Sequence, residues 1–237
     1  MGGILINTWT REKVESFVKR FIIYCLGLFL MALGVSFSVK SNLGVSPVSS
    51  LPYVTSLIIN RDLGLVTTCV FTLYVFLQVC ILRREFKIKS LLQILCASMF
   101  GMFVTVTNII CAFDAPTDYS IRLLLLLISI VLVAVGLLLY LTGNIIPQPA
   151  EGLIMTIASK RNLEIPKVKM IFDCTIVSIS ILMSFIFLGN LEGVREGTII
   201  AAFGIGKVLG IVSEKYKDAL VKFCEEKDPS ISNLELD

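Results

Sequence analysis

The sequence predicts an all-α membrane protein. Six transmembrane helices form two inverted three-helix repeats, each with a short re-entrant or interfacial helix. Three observations lead there. Of the 237 residues, 56% are apolar and 16% charged, with mean hydropathy +0.88, and a water-soluble fold of this size has too little interior to hide so much apolar surface. Six stretches have the length and composition of a bilayer span. The first half of the chain also aligns on the second.

In chain order, residues 21–39, 64–82, 90–112 and 123–143 carry no charge, 170–188 carries only Asp173 and 197–213 only Lys207. The charged lead before the first span lacks a small-residue cleavage site, so that span is expected to be retained. Two weaker, semipolar segments occupy 46–60 and 147–160. At about 14 residues each, they suit re-entrant or interfacial helices better than crossings. If neither crosses, 17 of the 21 basic residues fall on one side, leaving Lys40, Arg61, Arg122 and Arg195 on the other. The positive-inside rule then places both termini in the cytoplasm and residues 114–120 outside. The chain divides into a cytoplasmic amphipathic lead (1–20), a first membrane repeat (21–112), a second (121–213) and a cytoplasmic tail (214–237). Within the tail, 215–226 is predicted as an amphipathic helix on the inner surface and 228–237 as disordered.

A shift of 102 residues sets Leu30, Ala32, Gly34, Asn42, Pro47, Leu51, Asn60 and Val66 on Leu132, Ala134, Gly136, Asn144, Pro149, Leu153, Asn162 and Val168, eight identities over 42 positions without a gap. The parts also recur in order: span, glycine, polar break, proline-led short helix, span, span. Three spans per half is an odd number, so the halves must sit upside-down relative to each other, the usual build of secondary transporters. In the first break Ser46 suits an N-cap and Pro47 the first helical position. In the second, Gly143-Asn144 interrupts the span and Pro149 opens a helix with Glu151 in its first turn. Irregular backbone at membrane depth is tolerated where it lines a cavity or is buried in protein. A helix N-terminus there offers free N–H groups and partial positive charge. Two such termini meeting near the midplane suit a small anionic or zwitterionic solute; plain interfacial loops are the alternative.

Ala32-Leu-Gly-Val, Lys40-Ser-Asn-Leu-Gly-Val-Ser-Pro, Lys167-Val-Lys-Met-Ile-Phe-Asp and Gly193-Val-Arg-Glu-Gly-Thr-Ile-Ile-Ala-Ala resemble the bacterial YczE/YyaS/YitT-like integral membrane proteins, most closely the DUF6198 group. The resemblance spans roughly residues 18–213. It departs at Pro47-Val48-Ser49, where YczE-type members usually carry Pro-Trp-Asp. It implies a bacterial membrane location and a shared fold, and names no substrate.

The solute contacts expected from the two breaks are Lys40, Asn42, Ser46, Ser49, Ser50 and Tyr53 from the first, and Asn144, Gln148 and Glu151 from the second. Snorkelling is the alternative role for Lys40, and helix capping for Glu151. Asp173 lies inside a span, where a charge marks function by default, and Lys169 four residues earlier on the same helical face is its expected partner. Histidine is absent, which removes His-based acid–base chemistry, Ser-His-Asp triads and His metal sites. The seven cysteines, scattered without a CxxC pair, read as small apolar residues, and the lone Trp9 lies outside the apolar region. No catalytic residue, metal or cofactor is expected. Gly206-x-x-x-Gly210 predicts close helix contact, within the bundle or between protomers of a homo-oligomer.

The leading expectation is a secondary transporter of a small polar solute in the bacterial cytoplasmic membrane, working by alternating access. No Walker A sequence is present, so ATP hydrolysis by the chain itself is not expected. The alternatives are a substrate-binding or accessory subunit of a larger transporter and a non-transporting scaffold. An enzyme is not expected. The expected partners are the lipid bilayer and a small-molecule solute, with no nucleic acid.

Overall fold

The computed structural model describes residues 11–224. Trp9 and the expected disordered end 228–237 lie outside them. Eight α-helices occupy the described residues: α1 Arg11–Ser41, α2 Pro47–Ile59, α3 Leu63–Leu82, α4 Leu92–Ile110, α5 Tyr119–Gly143, α6 Pro149–Arg161, α7 Ile165–Met183 and α8 Glu196–Cys224. Six stretches are long and apolar enough to cross a membrane: Val14–Ser41, Leu63–Glu85, Ile88–Ile110, Tyr119–Gly143, Ile165–Leu188 and Glu196–Cys224. Large apolar side chains face outward along them, Phe76 at 61%, Ile109 at 68% and Phe203 at 78% exposure, as a lipid-facing surface requires.

α2 and α6 are the two short helices, 13 residues each, and both open on a proline at the first turn. The backbone repeats where the sequence does. Asn42 and Asn144 are left-handed at φ 51° and 46°, and Asn60 and Asn162, which end the short helices, at 49° and 52°. Asparagine tolerates this region better than most residues because its short amide bonds locally. The residues ahead of the prolines, Ser46 and Gln148, share φ −59° with ψ 152° and 149°. Ser46 takes the predicted cap position without capping: its hydroxyl donates to Ser49 Oγ at 3.0 Å.

α1 and α5 pack against each other along their length. A Cβ on Gly136 would stand 2.7 Å from the Gly27 carbonyl oxygen, and one on Gly34 3.0 Å from that of Ser129. Gly27 and Ser129, like Gly34 and Gly136, are 102 residues apart, so one contact is the counterpart of the other. The short helices dock across the halves in the same manner. α2 packs on α7 and α6 on α3. Ser50 and Ser180 hydroxyls meet at 3.0 Å. Their counterparts, Gly152 and Gln78, also meet: a Cβ on Gly152 would lie 3.0 Å from Gln78 Oε1. Pro47 and Pro149 are buried, whereas Asn60 and Asn162 are exposed, so each short helix points its N-terminus into the bundle.

The equivalence stops at the last pair. α3 and α4 close together where a Cβ on Gly101 would lie 2.5 Å from the Gly64 carbonyl oxygen. α7 and α8 stand apart among the described residues. The surface helix expected over 215–226 is instead the continuation of α8, which runs unbroken to Cys224. No glycine or proline lies between Gly210 and Cys224 to stop it, and Ser16 Oγ of α1 donates to the Cys224 carbonyl at 2.6 Å.

Candidate functional site

The nine residues expected to contact solute fall into two groups at opposite ends of the bundle, one from each break. The structure does not bring them into one cluster. The end that carries Arg83, Arg84, Lys160 and Arg161, joined by a Lys160–Glu85 ion pair at 3.0 Å, is the basic end.

At the far end, Lys40, Asn42 and Tyr53 line a cleft of about 570 Å³ with Asp114, Asn190 and Glu192. Lys40 Nζ lies 5.9 Å from the centroid of the Phe113 ring, a cation–π placement. Ser184 sets the wall opposite. α7 ends there in a π-helical turn, Ser184–Leu188, and the Ser184 hydroxyl donates to the Asn190 carbonyl at 2.7 Å and accepts from Glu192 N–H at 2.8 Å. The same loop folds over the first break. Val45 N–H donates to the Gly193 carbonyl at 3.0 Å, and Arg195 Nη1 donates to the Asn42 carbonyl at 3.0 Å. Gly193 takes φ +75° with its Cα face against the Tyr53 ring, a site where a Cβ has no room. Ser49 is half-buried. Ser50 is fully buried, donating to the Pro47 carbonyl at 2.7 Å and meeting Ser180. Ser50 is therefore a docking contact, not a cleft-lining hydroxyl.

Toward the basic end, the second break is held by two tyrosines. Gln148 N–H donates to Tyr140 Oη at 2.6 Å, and the Tyr140 hydroxyl donates to Glu151 Oε2 at 2.7 Å. In an ordinary capping box the Glu reaches back to the N-cap N–H itself; here the tyrosine hydroxyl stands between them. The Tyr24 hydroxyl donates to Cys96 Sγ and to the Ile146 carbonyl, each at 2.9 Å, and its ring lies 5.4 Å from that of Tyr140. Gln78 Nε2 donates to Gln93 Oε1 at 2.9 Å and to the Pro149 carbonyl at 3.2 Å. Asn144 is exposed at the mouth of a separate cleft.

Lys169 and Asp173 meet as expected, at 3.5 Å. The Asp173 side chain keeps 23% of its surface exposed and that of Lys169 54%, so the pair sits at the edge of the packed region. Asp173 Oδ1 and Tyr74 Oη are both buried without a hydrogen-bond partner among the described residues.

Sequence reasoning missed Tyr24, Tyr74, Tyr140, Gln78 and Gln93. The glutamines carried a signal: polar side chains inside spans face the bundle interior and pair there. The tyrosines carried a weaker one, since a buried phenol seeks a partner for its hydroxyl.

Six apolar spans around a buried polar core define a multi-pass membrane protein. Residues 18–214 match the family described as "Family of unknown function (DUF6198)". The chain belongs to that family. It is 28% identical over 203 residues to an uncharacterized protein of Haemophilus influenzae, covering 86% of this chain and 85% of the relative. It is 24% identical over 196 residues to the uncharacterized membrane protein YczE of Bacillus subtilis, covering 82% of this chain and 86% of the relative. No solved structure matches.

Proposed function

We propose that the chain is a secondary transporter of a small polar solute, anionic or zwitterionic, in the bacterial cytoplasmic membrane, with both termini in the cytoplasm. The two halves are inverted repeats, and alternating access opens the far-end cleft and the basic-end polar core in turn. One observation carries the reading: each short helix docks on the other half at an equivalent place, Ser50 on Ser180 and Gly152 against Gln78. Exchange-related units of this kind rock against each other in transporters built from inverted repeats. Both short helices are then re-entrant, with their N-termini toward the midplane. Lys40 with Asp114 and Glu192 offers both signs of charge to a zwitterion at the far end. The chain's role is transport rather than catalysis.

Alternating access is testable without knowing the solute. In a cysteine-free background, Asn42→Cys and Asn190→Cys are bridged across the far-end cleft by a bifunctional thiosulfonate. Labelling of Gln148→Cys by a maleimide supplied from the basic end is then followed. The transporter reading expects bridging to change that labelling several-fold. Identical labelling with and without the bridge would leave a static bundle and remove the reading.

A second reading, an accessory or substrate-binding subunit of a larger transporter, is favoured by the state of α7 and α8. They stand apart, and a Cβ on Gly206 or Gly210 would meet no atom within 4 Å. Co-purification of an energising partner, lost on Gly206→Leu, would move this reading ahead.

A further inference from the structure

A separate cleft of about 410 Å³ opens at the basic end between α1, α5 and α8. Arg20 of α1 and Lys217 of α8 line it, and no carboxylate among the described residues does. On α8 the lining positions Leu209, Ser213, Lys217 and Val221 recur every four residues, one ridge of the helix. Glu214 and Asp218 follow Ser213 and Lys217 by one residue, about 100° further round, and do not line the cleft. Lys19 is engaged elsewhere, paired with Glu15 at 2.7 Å and placed over the Phe223 ring.

Two further facts point to what fills the cleft. Arg20 Nε is buried with no hydrogen-bond partner among the described residues. A desolvated guanidinium N–H left without an acceptor is costly, and the fork geometry of arginine matches a phosphate. The lining is also graded along the membrane normal. Leu138 lies four residues before Thr142 on a helix running toward the basic end, and Leu209 eight residues before Lys217 on another. Leu138 and Leu209 therefore form the deep floor, Arg20, Asn144, Ser213 and Lys217 the mouth, and Val221 and Cys224 an outer rim beyond Lys217. A free anion needs only the mouth. The apolar floor fits an amphiphile with its charge at the surface.

We propose that this cleft binds an anionic phospholipid, with Arg20 and Lys217 holding its phosphate and the leucine floor receiving the upper part of an acyl chain. Basic pockets between transmembrane helices are suited to such headgroups. The proposal does not depend on the transporter reading.

The test uses the full chain in neutral detergent, with lipid affinity read by native mass spectrometry. Phosphatidylglycerol is expected to bind more tightly than phosphatidylcholine of the same chain length. Arg20→Gln with Lys217→Gln lowers phosphatidylglycerol affinity about 30-fold, roughly fivefold for each cationic side chain neutralised, and lowers that of phosphatidylcholine, whose choline already balances its phosphate, much less. Lys215→Gln removes the same charge away from the cleft and keeps the preference. Four results overturn the proposal: equal binding of the two lipids, a preference that survives the double variant, an equal loss with Lys215→Gln, or equal occupancy by glycerol 3-phosphate, which marks a soluble anion as the ligand. If Arg20→Gln fails to yield a monodisperse protein, Lys217→Gln alone decides. That residue is exposed, and the single variant is expected to bind about fivefold more weakly; unchanged affinity overturns the proposal.

Discussion

Ser50 and Ser180 share a hydrogen bond of 3.0 Å between their hydroxyls, deep between α2 and α7. Their counterparts 102 residues away in sequence, Gly152 and Gln78, meet between α6 and α3. The chemistry at the two sites differs, and so does the expected response to mutation. Ser50→Ala removes a bond but leaves Ser180 donating to the Ile176 carbonyl at 2.8 Å, so the destabilisation is expected to stay under about 1 kcal/mol. Gly152→Ala places a methyl 2.7 Å from the Gln93 amide. Overpacking of that kind costs about 1–3 kcal/mol. Unfolding in mixed detergent micelles is expected to rank Gly152→Ala as the more damaging, and the reverse order would mean that the ends of Gln78 and Gln93 swing aside.

The membrane orientation has its own test. Thr117 and Lys87 are both exposed, one in the far-end loop and one at the basic end. In a cysteine-free background, Thr117→Cys is expected to react with an impermeant maleimide in intact cells. Lys87→Cys is expected to react only after the cells are opened. Labelling of position 87 in intact cells would invert the assignment.

The short helices are legible in the sequence because proline at the first turn and asparagine at the end are local signals, and both occur twice at one spacing. The six spans are legible from composition. The partner of each short helix is not. Nothing in a 13-residue segment says that Ser50 will find Ser180 in the other half, and nothing in the pattern gives the antiparallel crossing of α1 and α5 at Gly27, Gly34 and Gly136. The same crossing sets Asn42 and Asn144 at opposite ends, so residues grouped by sequence equivalence do not gather in space. Tyr24 and Tyr140 escape notice in the sequence because a tyrosine in an apolar run looks like packing until a broken backbone is placed beside it.

The pair Lys169 and Asp173 sits at the edge of the packed region. At 3.5 Å, with Lys169 54% exposed, its coupling is expected to be about 0.5 kcal/mol, in the range of exposed helical pairs. A double-mutant cycle with Lys169→Gln and Asp173→Asn measures it directly. Coupling of several kcal/mol would show that lipid, rather than water, surrounds the lysine in the bilayer.

Tyr140 is expected to matter more than Tyr24, although both rings are buried in one cluster. Tyr140→Phe keeps the ring but removes the oxygen that accepts from the buried Gln148 N–H, together with the donor to Glu151. Leaving a buried donor unsatisfied costs about 1–3 kcal/mol. Tyr24→Phe removes a donor to a carbonyl and a thiol, and a carbonyl tolerates the change better than an N–H does. Glu151→Gln keeps a carbonyl oxygen where Tyr140 donates, so its structural cost is expected to be the smallest of the three. The order Tyr140→Phe, Tyr24→Phe, Glu151→Gln, from most to least destabilising, is checked by reversible unfolding of the purified variants. If Tyr140→Phe proves no worse than Tyr24→Phe, water rather than the tyrosine supplies the acceptor at the second break, and the hydroxyl relay between Gln148 and Glu151 is not what holds α6 in place.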